Sequence, residues 1–366
     1  MQRQQSLAFG SWLTRAALIA ALFGMTVGCE PGPPDVTVMT RNLYFGFSEA
    51  SLLAAEDFEQ LAVAVAEGWQ SVVDTDFPDR AQALAREIEA TGPDLIGLQE
   101  VAIYRVQSPG DLAVGGDAPA TEVVYDFLEI LLSELRGRGL NYEEVASITE
   151  MDIELPSATG DDVRLTDRDV ILRRTGRFAS RAQVLATDGG HFETLLQLPV
   201  GGEGGPTLTL LRGWVSADIR LAGRTFRFVN THLDDFALVQ EAQALELLAG
   251  PLDTDLPAIL LGDLNSDAFG EGTQTYEILL DAGFVDAWTE IAPADAGLTW
   301  GHEPDLSNPS PTLTQRLDLI VYRGAFEAGS AEVVGEEIGD RTGTGLWPSD
   351  HAGVVATLAP PTVGAR

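Results

Sequence analysis

The sequence predicts an α/β fold in which two packed β-sheets carry helices on their outer faces. Three observations point to it. Apolar runs such as Leu95-Ile96-Gly97-Leu98 and Ala258-Ile259-Leu260-Leu261 are too short for surface helices and stop abruptly on polar side chains, as buried strands do. Stretches of helical periodicity separate such runs. Between residues 163 and 233 the pattern turns to adjacent strands and hairpins. The polar ends repeat a theme: Arg41-Asn42-Leu43, Gln99-Glu100, Asn230-Thr231-His232-Leu233, Gly262-Asp263-Leu264-Asn265 and Ser349-Asp350-His351 all carry metal- or phosphate-binding groups. That repetition predicts one site assembled from strand ends far apart in the chain.

Val36-Thr37-Val38-Met39-Thr40 reads as the first strand, followed by helices over about 50–73 and 78–90. The second of these opens on Pro78, at an early position where the missing N–H does no harm. Pro93-Asp94 then turns the chain into the strand that runs to Glu100. Residues 123–136 form a further helix, with Val124, Phe127, Leu128, Leu131, Leu132 and Leu135 on one face as a core stripe. Strands are expected at 170–172, 208–211, 215–221 and 225–233. A hairpin turn at Leu221-Ala222-Gly223-Arg224 joins the last two, which puts Phe226 and Phe228 on one face and His232 at the far end. Gly262 is expected to break its apolar run just before two polar side chains. Helices at 237–249 and 273–282 and strands at 317–321 and 353–358 complete the order. Residues 102–122, 150–168, 199–206 and 293–314 read as long loops, the usual rims of a functional site.

The 366 residues, 45% of them hydrophobic, suffice for one large domain, expected over 36–360 with a tail at 361–366. Acidic residues number 56 against 22 basic ones, for a net charge of -34, and no lysine occurs, so every fixed side-chain cation is an arginine. Non-specific nucleic-acid binding draws its free energy from such cations, and this surface offers few. The exception is a crowd of Arg164, Arg168, Arg173, Arg174, Arg177 and Arg181, which reads more readily as a strand and turn balanced by acids than as a DNA-binding patch. No G-x-x-x-x-G-K-[ST] loop is present.

At the start, Arg3 and Arg15 precede an apolar run over 16–23, and small residues lead to Gly28-Cys29, which fits an export leader over 1–28. The run falls short of the roughly 20 residues that a membrane span needs. Cys29 is the one cysteine, so no intramolecular disulfide can form, and it resembles a lipoprotein acceptor; Thr26 and Val27 depart from that signal, which leaves ordinary cleavage as the alternative. Residues 29–35 form a proline-rich spacer. The expectation is a monomer that is exported, either secreted or held at the periplasmic or outer membrane through lipidated Cys29.

The carboxylates of Glu100, Asp263 and Asp350 with the amides of Asn42 and Asn265 make an all-oxygen set, which suits Mg²⁺ or Mn²⁺ better than zinc. Phosphodiester hydrolysis needs such an ion on a non-bridging oxygen, a base for water and donors for the other phosphate oxygens. Singly, these residues are also ordinary loop formers, Asp263 and Asn265 in particular as an Asx-type turn. Taken together and in order, Asn42, Glu100, His232, Gly262-Asp263-Leu264-Asn265, Asp318 and Ser349-Asp350-His351 resemble the endonuclease/exonuclease/phosphatase superfamily over nearly the whole chain after the leader. The resemblance implies a four-layer α/β sandwich of the DNase I type with a divalent-cation site at one edge of its two sheets. It implies Glu100, Asn42 and Asp350 around the metal, and His351 as general base or phosphate contact oriented by Asp318. Asp263 would position or activate water and Asn265 would donate to the phosphate. His232 would bind phosphate or protonate the leaving group, with an acidic partner at Asp169 in preference to Asp167. The Asn-Thr-His-Leu segment at 230–233 is similar to that of sphingomyelinase-like members, and His232 to the matching histidine of DNase-like ones, whereas abasic-site endonucleases typically carry tyrosine there. The expected function is therefore a metal-dependent hydrolase of phospholipid head groups or small phosphodiesters. The alternatives are a secreted DNase I-like nuclease and a non-catalytic surface-anchored binding module. His191 and His302 have no motif around them and read as loop residues, and Trp214, Trp300 and Trp347 read as packing residues, with Trp347 near enough to Asp350 to raise a pocket role.

Overall fold

The computed structural model describes residues 35–176, 182–199, 207–221, 223–270 and 272–360. The expected leader, Cys29, most of the spacer, Arg177, Arg181, residues 200–206 and the tail lie outside them. In chain order the elements are β1 (Val36–Asn42), α1 (Ala50–Ala54), α2 (Phe58–Asp74), α3 (Phe77–Thr91), β2 (Leu95–Gln99), β3 (Ile103–Gln107), β4 (Glu122–Asp126), α4 (Phe127–Gly137), β5 (Asn141–Pro156), β6 (Asp162–Thr175), β7 (Gln183–His191), β8 (Leu196–Pro199), β9 (Thr207–Leu210), β10 (Gly213–Leu221) and β11 (Arg224–His232). They continue with α5 (Ala237–Ala249), β12 (Ala258–Asp263), α6 (Thr275–Asp281), β13 (Val285–Asp286), α7 (Ala287–Ile291), β14 (Asp318–Arg323), β15 (Glu327–Val334) and β16 (Gly353–Ala359).

One sheet has the order β15-β16-β1-β2-β6-β3-β4, with β5 paired to β6, and the other has β13-β14-β12-β11-β10-β7. Alternation along each strand divides the core. Val38, Ile171, Phe226, Phe228, Ile259 and Leu261 pack between the sheets. Met39, Ile96 and Leu98 face outward onto Phe77, Leu84 and Phe127 of α3 and α4, and Val229 and Leu260 face outward onto Leu247 and Leu279 of α5 and α6. Two sheets between two helical layers give the expected four-layer sandwich.

Several elements differ from the sequence reading. The helix expected over 50–73 is two helices, because the Asp57 side chain accepts from Gln60 N and starts a new one. The helix expected at 123 begins at Phe127, capped by Asp126; residues 122–126 are strand, and Val124 is exposed instead of joining the core stripe. Residues 102–122 hold β3, and residues 150–168 are not a loop but most of the long β5–β6 hairpin. In that hairpin, apolar residues occupy alternate positions and the opposite face is ion-paired, so its polar residues mask it as a loop. The arginine crowd is used there: Arg164 pairs with Asp152, Arg173 with Glu143 and Arg168 with Asp126 at 2.9 Å, while Arg174 donates to Gly92 O. Arg164, Arg168 and Arg173 thus balance local acids and do not form a free basic patch.

Two buried arginines brace the edge from which the polar strand ends project. Arg80 of α3, 0% exposed, donates to the carbonyls of Thr75, Leu43, Tyr44 and Pro348 at 2.6–3.1 Å and lies 4.9 Å from the Phe77 ring centroid. Burial pulls its pKa down to about 10, which leaves it charged at neutral pH. Arg41 pairs with Glu87 at 2.9 Å and donates to His351 O at 2.5 Å. Arg80 ties the chain after β1, and Arg41 ties β1 itself, to the segment before β16, some three hundred residues away in sequence. Arg80→Met leaves four carbonyls without their donor and is expected to lower the free energy of unfolding by roughly 3 kcal/mol or more, read by urea denaturation. An unchanged midpoint would show that those carbonyls find other donors.

Candidate active site

Strand register brings the predicted residues to one edge. Parallel pairing of β1 with β2 sets Asn42 beside Gln99, one residue before Glu100. Parallel pairing of β11 with β12 sets His232 beside Asp263, and antiparallel pairing of β12 with β14 sets Asp263 beside Asp318. Asp350 and His351 arrive just before β16, the neighbour of β1. The sheets approach closely beneath this edge, where a Cβ on Gly97 would lie 2.6 Å from Asn230 Oδ1. Gly262 does not end its strand as the sequence suggests. The strand β12 runs through it, with φ at +150°, and a Cβ there would sit 1.9 Å from Thr231 O, so the glycine serves close strand packing.

Asp263 is the hub. Its Oδ2 accepts from Asn42 Nδ2 at 3.1 Å and lies 3.5 Å from both His232 Nε2 and His351 Nε2, while its Oδ1 accepts from Asn265 N at 3.0 Å. Burial would raise its pKa, but the His351 charge, the Asn265 N–H and Asn42 together lower it and keep it ionised. His351 Nδ1 meets Asp318 Oδ2 at 2.8 Å. Burial opposes its protonation, yet the charges of Asp318, Asp263 and Asp350 outweigh burial and push its pKa up to about 10. His232 is the opposite case: burial and the Arg212 charge hold it well below the usual histidine value, hence neutral. Asn265 Nδ2 contacts its Nε2 at 3.2 Å. Asn42 Nδ2 also donates to Glu100 Oε1 at 2.9 Å, and its Oδ1 accepts from Tyr44 N, so it holds the carboxylates through its amide nitrogen. Glu100 adopts positive φ, at 55°, an uncommon conformation for a glutamate that its bonds maintain, and Asn265 does so at 49°, where asparagine is tolerated.

The structure does not join Asp169 to His232. Both Asp169 oxygens and His232 Nδ1 lack a hydrogen-bond partner among the described residues. Asp169, 0% exposed, is pushed well above the carboxylate range by burial and then by Glu150 and Asp167. Asp167 is likewise without a bond to His232, pushed up to about 6 by burial.

A comparison with curated protein sequences gives no match. Residues 72–351 match the Endonuclease/Exonuclease/phosphatase family, a stretch that holds every residue of the site except Asn42. The chain belongs to the endonuclease/exonuclease/phosphatase family. Solved structures of similar fold include an endonuclease/exonuclease/phosphatase family protein from Bacteroides thetaiotaomicron, with TM-score 0.56 and 18% identity over 89% of this chain and 98% of that one. Two others are a mannosyl-6-phosphatase from the same organism (TM-score 0.51, 18% identity, 88% and 99% covered) and D. rerio TDP2 complexed with single-strand DNA product (TM-score 0.51, 15% identity, 89% and 99% covered). The activities that the family's name joins are all phosphoester hydrolyses.

Endonuclease/exonuclease/phosphatase members generally depend on a divalent metal, and this chain has donors that fit one. Glu100 is pushed well above the carboxylate range by desolvation and then by Asp350, and Asp350 is pushed up by desolvation and Asp263 against His351. Crowded like charges of this kind are what a hard cation relieves. Asp263, Asp318 and His351 also place ligand atoms within 4.8 Å of one another. The Asp318–His351 hydrogen bond accounts for that proximity, so Glu100 and Asp350 are the better oxygen donors.

Three residues at the site escaped the sequence reading, one of them Trp300, which reads as packing but is exposed and lines the cavity beside His351. Arg212 lines the cavity beside Glu100 and His232 and is the one arginine among the described lining residues. Desolvation works against its charge, and Asp167, Glu150, Glu100 and Asp169 restore it. Its only signal in sequence was its place just before an alternating strand. His302 sits in a long loop as expected but also lines the cavity, stacked on Trp347 at 4.1 Å; Trp347 itself is fully buried packing.

The His351 value carries a pH prediction. Its folded pKa of about 10 exceeds an unfolded value of about 6.5, so the Asp318–His351 pair stabilises the fold fully below that lower value and stops doing so as pH rises through the higher one. In metal-free protein, NMR titration is expected to find His351 still protonated at a pH of about 8, and Asp318→Asn to bring its midpoint back toward neutrality. A wild-type midpoint near the unperturbed value would contradict this charge assignment.

Proposed function

We propose that the protein is an exported, Mg²⁺- or Mn²⁺-dependent phosphodiester hydrolase acting on phospholipid head groups or small phosphodiesters. The observation that carries this reading is the meeting of His232, His351, Asn42 and Asn265 on a single carboxylate, that of ionised Asp263. Asp263 accepts a proton from water as the water oxygen bonds to phosphorus. The phosphorus–oxygen bond of the leaving group breaks, and the His351 imidazolium supplies the proton that the departing oxygen needs, with Asp318 holding the ring. Asn265 and Arg212 donate to the remaining phosphoryl oxygens, and neutral His232 packs against them as a hydrogen-bonding wall. A divalent ion held by Glu100 and Asp350, with Asn42 bracing Glu100, would offset charge on a non-bridging oxygen.

Charge supports a small or lipid phosphoester over nucleic acid: the net charge is -34, and Arg164, Arg168 and Arg173 are engaged by acids. Export rests on the leader at 1–28, and Cys29 is the proposed lipid anchor. The non-catalytic alternative is disfavoured because no part of the hydrolytic set is missing. The purified protein is expected to release nitrophenol from bis(p-nitrophenyl) phosphate with Mg²⁺ or Mn²⁺ and to stop when the metal is chelated. His351→Ala and Asp263→Asn are each expected to lower kcat by roughly 10²–10⁴-fold with an unchanged circular dichroism spectrum. Equal rates for wild type and both variants would dismiss the mechanism.

A further inference from the structure

The cavity at the active site measures about 890 Å³, near the upper end of what a small-molecule site needs, and its two ends differ in chemistry. Glu100, Arg212, His232, Asp263, Asp350 and His351 form one end. The other end is enclosed by α2, β5, β6, β8 and β9, and every side chain that these five elements turn toward it is apolar. The arrangement follows from the sequence pattern. Met151, Ile153 and Leu155 alternate along β5, as do Leu196 and Leu198 on β8 and Leu208 and Leu210 on β9. The opposing wall is the stripe of α2 that begins at Leu61 and ends at Val72. Three amphipathic faces thus meet around open volume and close on one another where Leu61, Leu155 and Leu208 pack together.

Two details keep that volume open. Helix α2 carries Ala64 and Gly68 where its stripe faces the cavity, and a Cβ on Gly68 would already come within 3.3 Å of the Phe47 ring. Among the described residues the hairpin of β8 and β9 pairs with no other strand, although Leu208 and Leu210 lean on the neighbouring core. An isolated two-stranded hairpin is marginal in water, and an aliphatic wall that faces water is costly. Both are relieved by an apolar occupant that reaches the metal-binding end.

We propose that this apolar arm is a binding subsite for a single long alkyl or acyl chain carried by the phosphoester, so that the substrate is an amphiphile with its phosphate at Arg212 and His351 and its chain between α2 and the two hairpins. The inference rests on the hydrolase reading above and narrows its substrate class.

Calorimetric titration with n-alkylphosphonates of increasing chain length, from butyl to dodecyl, in Mg²⁺ and below their micelle concentrations, tests the subsite without turnover, because the carbon–phosphorus bond is not hydrolysed. Affinity is expected to rise about two- to fourfold per methylene until the arm is full. Ala64→Phe, which fills the arm from the helix side, and Leu198→Asn, which places an amide on the opposite wall, are each expected to weaken dodecylphosphonate by about tenfold or more and butylphosphonate by less than about twofold. If Ala64→Phe does not fold, Leu198→Asn on the half-buried β8 decides alone. Affinity independent of chain length in the wild type overturns the proposal. A chain-length dependence that the folded variants retain also overturns it, since the chain would then bind elsewhere. Hydrolysis of bis(p-nitrophenyl) phosphate without chain-length dependence removes the subsite and keeps the reaction; chain-length dependence without hydrolysis upholds the subsite and removes the reaction.

Discussion

Asn230 fixes how the two sheets face each other, and the site exists only because they face each other in that way. Its Nδ2 donates across the interface to Leu98 O at 3.0 Å and Val170 O at 3.2 Å, and its Oδ1 accepts from Gln99 Nε2 at 2.6 Å. Thr40 extends the chain by donating to Gln99 Oε1. All of these groups are 0% exposed, so a shift by one residue would leave several buried polar atoms unpaired in an otherwise aliphatic layer. With that alignment held, Asn42, Glu100, Asp350 and His351 from one sheet meet His232, Asp263, Asn265 and Asp318 from the other. Gly97 is what lets Asn230 in.

The same edge concentrates charge that a protein interior ordinarily avoids. Glu100, Asp263 and Asp318 are buried beside Asp350, and the fold answers with cations of different kinds: His351 within the cluster, Arg212 at its rim, and Arg80 and Arg41 beneath it. The underlying arginines contribute through backbone carbonyls more than through ion pairs, so they hold loops in place without neutralising the carboxylates that the chemistry uses. Two histidines only 3.5 Å from one carboxylate oxygen nonetheless differ in protonation. Asp318 stands behind His351, whereas Arg212 stands near His232 and no carboxylate bonds its Nδ1.

The architecture and most of the site could be read from the chain because strand-end motifs are local: an aliphatic run followed at once by Glu100, by Asp263 and Asn265, or by Asp350 and His351 declares both the strand and its tip. What escaped was set by tertiary context. The β5–β6 hairpin alternates apolar residues with ion-paired ones and so resembles a polar loop. The reason for Gly262 is a carbonyl on the neighbouring strand, and no local pattern encodes that. Gln99, Asn230 and Arg41 have the side-chain chemistry of site residues but serve as struts between layers. Arg212 lies in a segment with no motif and reaches the cavity only because β10 starts beside the end of β11. The link between Asp169 and His232 is implied by family resemblance alone; in this chain no hydrogen bond joins them, and Asp169 feels the charges of Glu150, Asp167, Arg212 and Asp263.

The turn at Gly223, with φ at +82°, lies at the opposite end of β11 from His232, roughly 27 Å away at the usual rise of a strand. Nothing at that end takes part in the chemistry, and the two strands it connects are among the best buried in the second sheet. It is therefore a natural attachment point for a fluorophore, an affinity handle or a surface tether, where cargo could be carried without obstructing entry to the cleft on the far side.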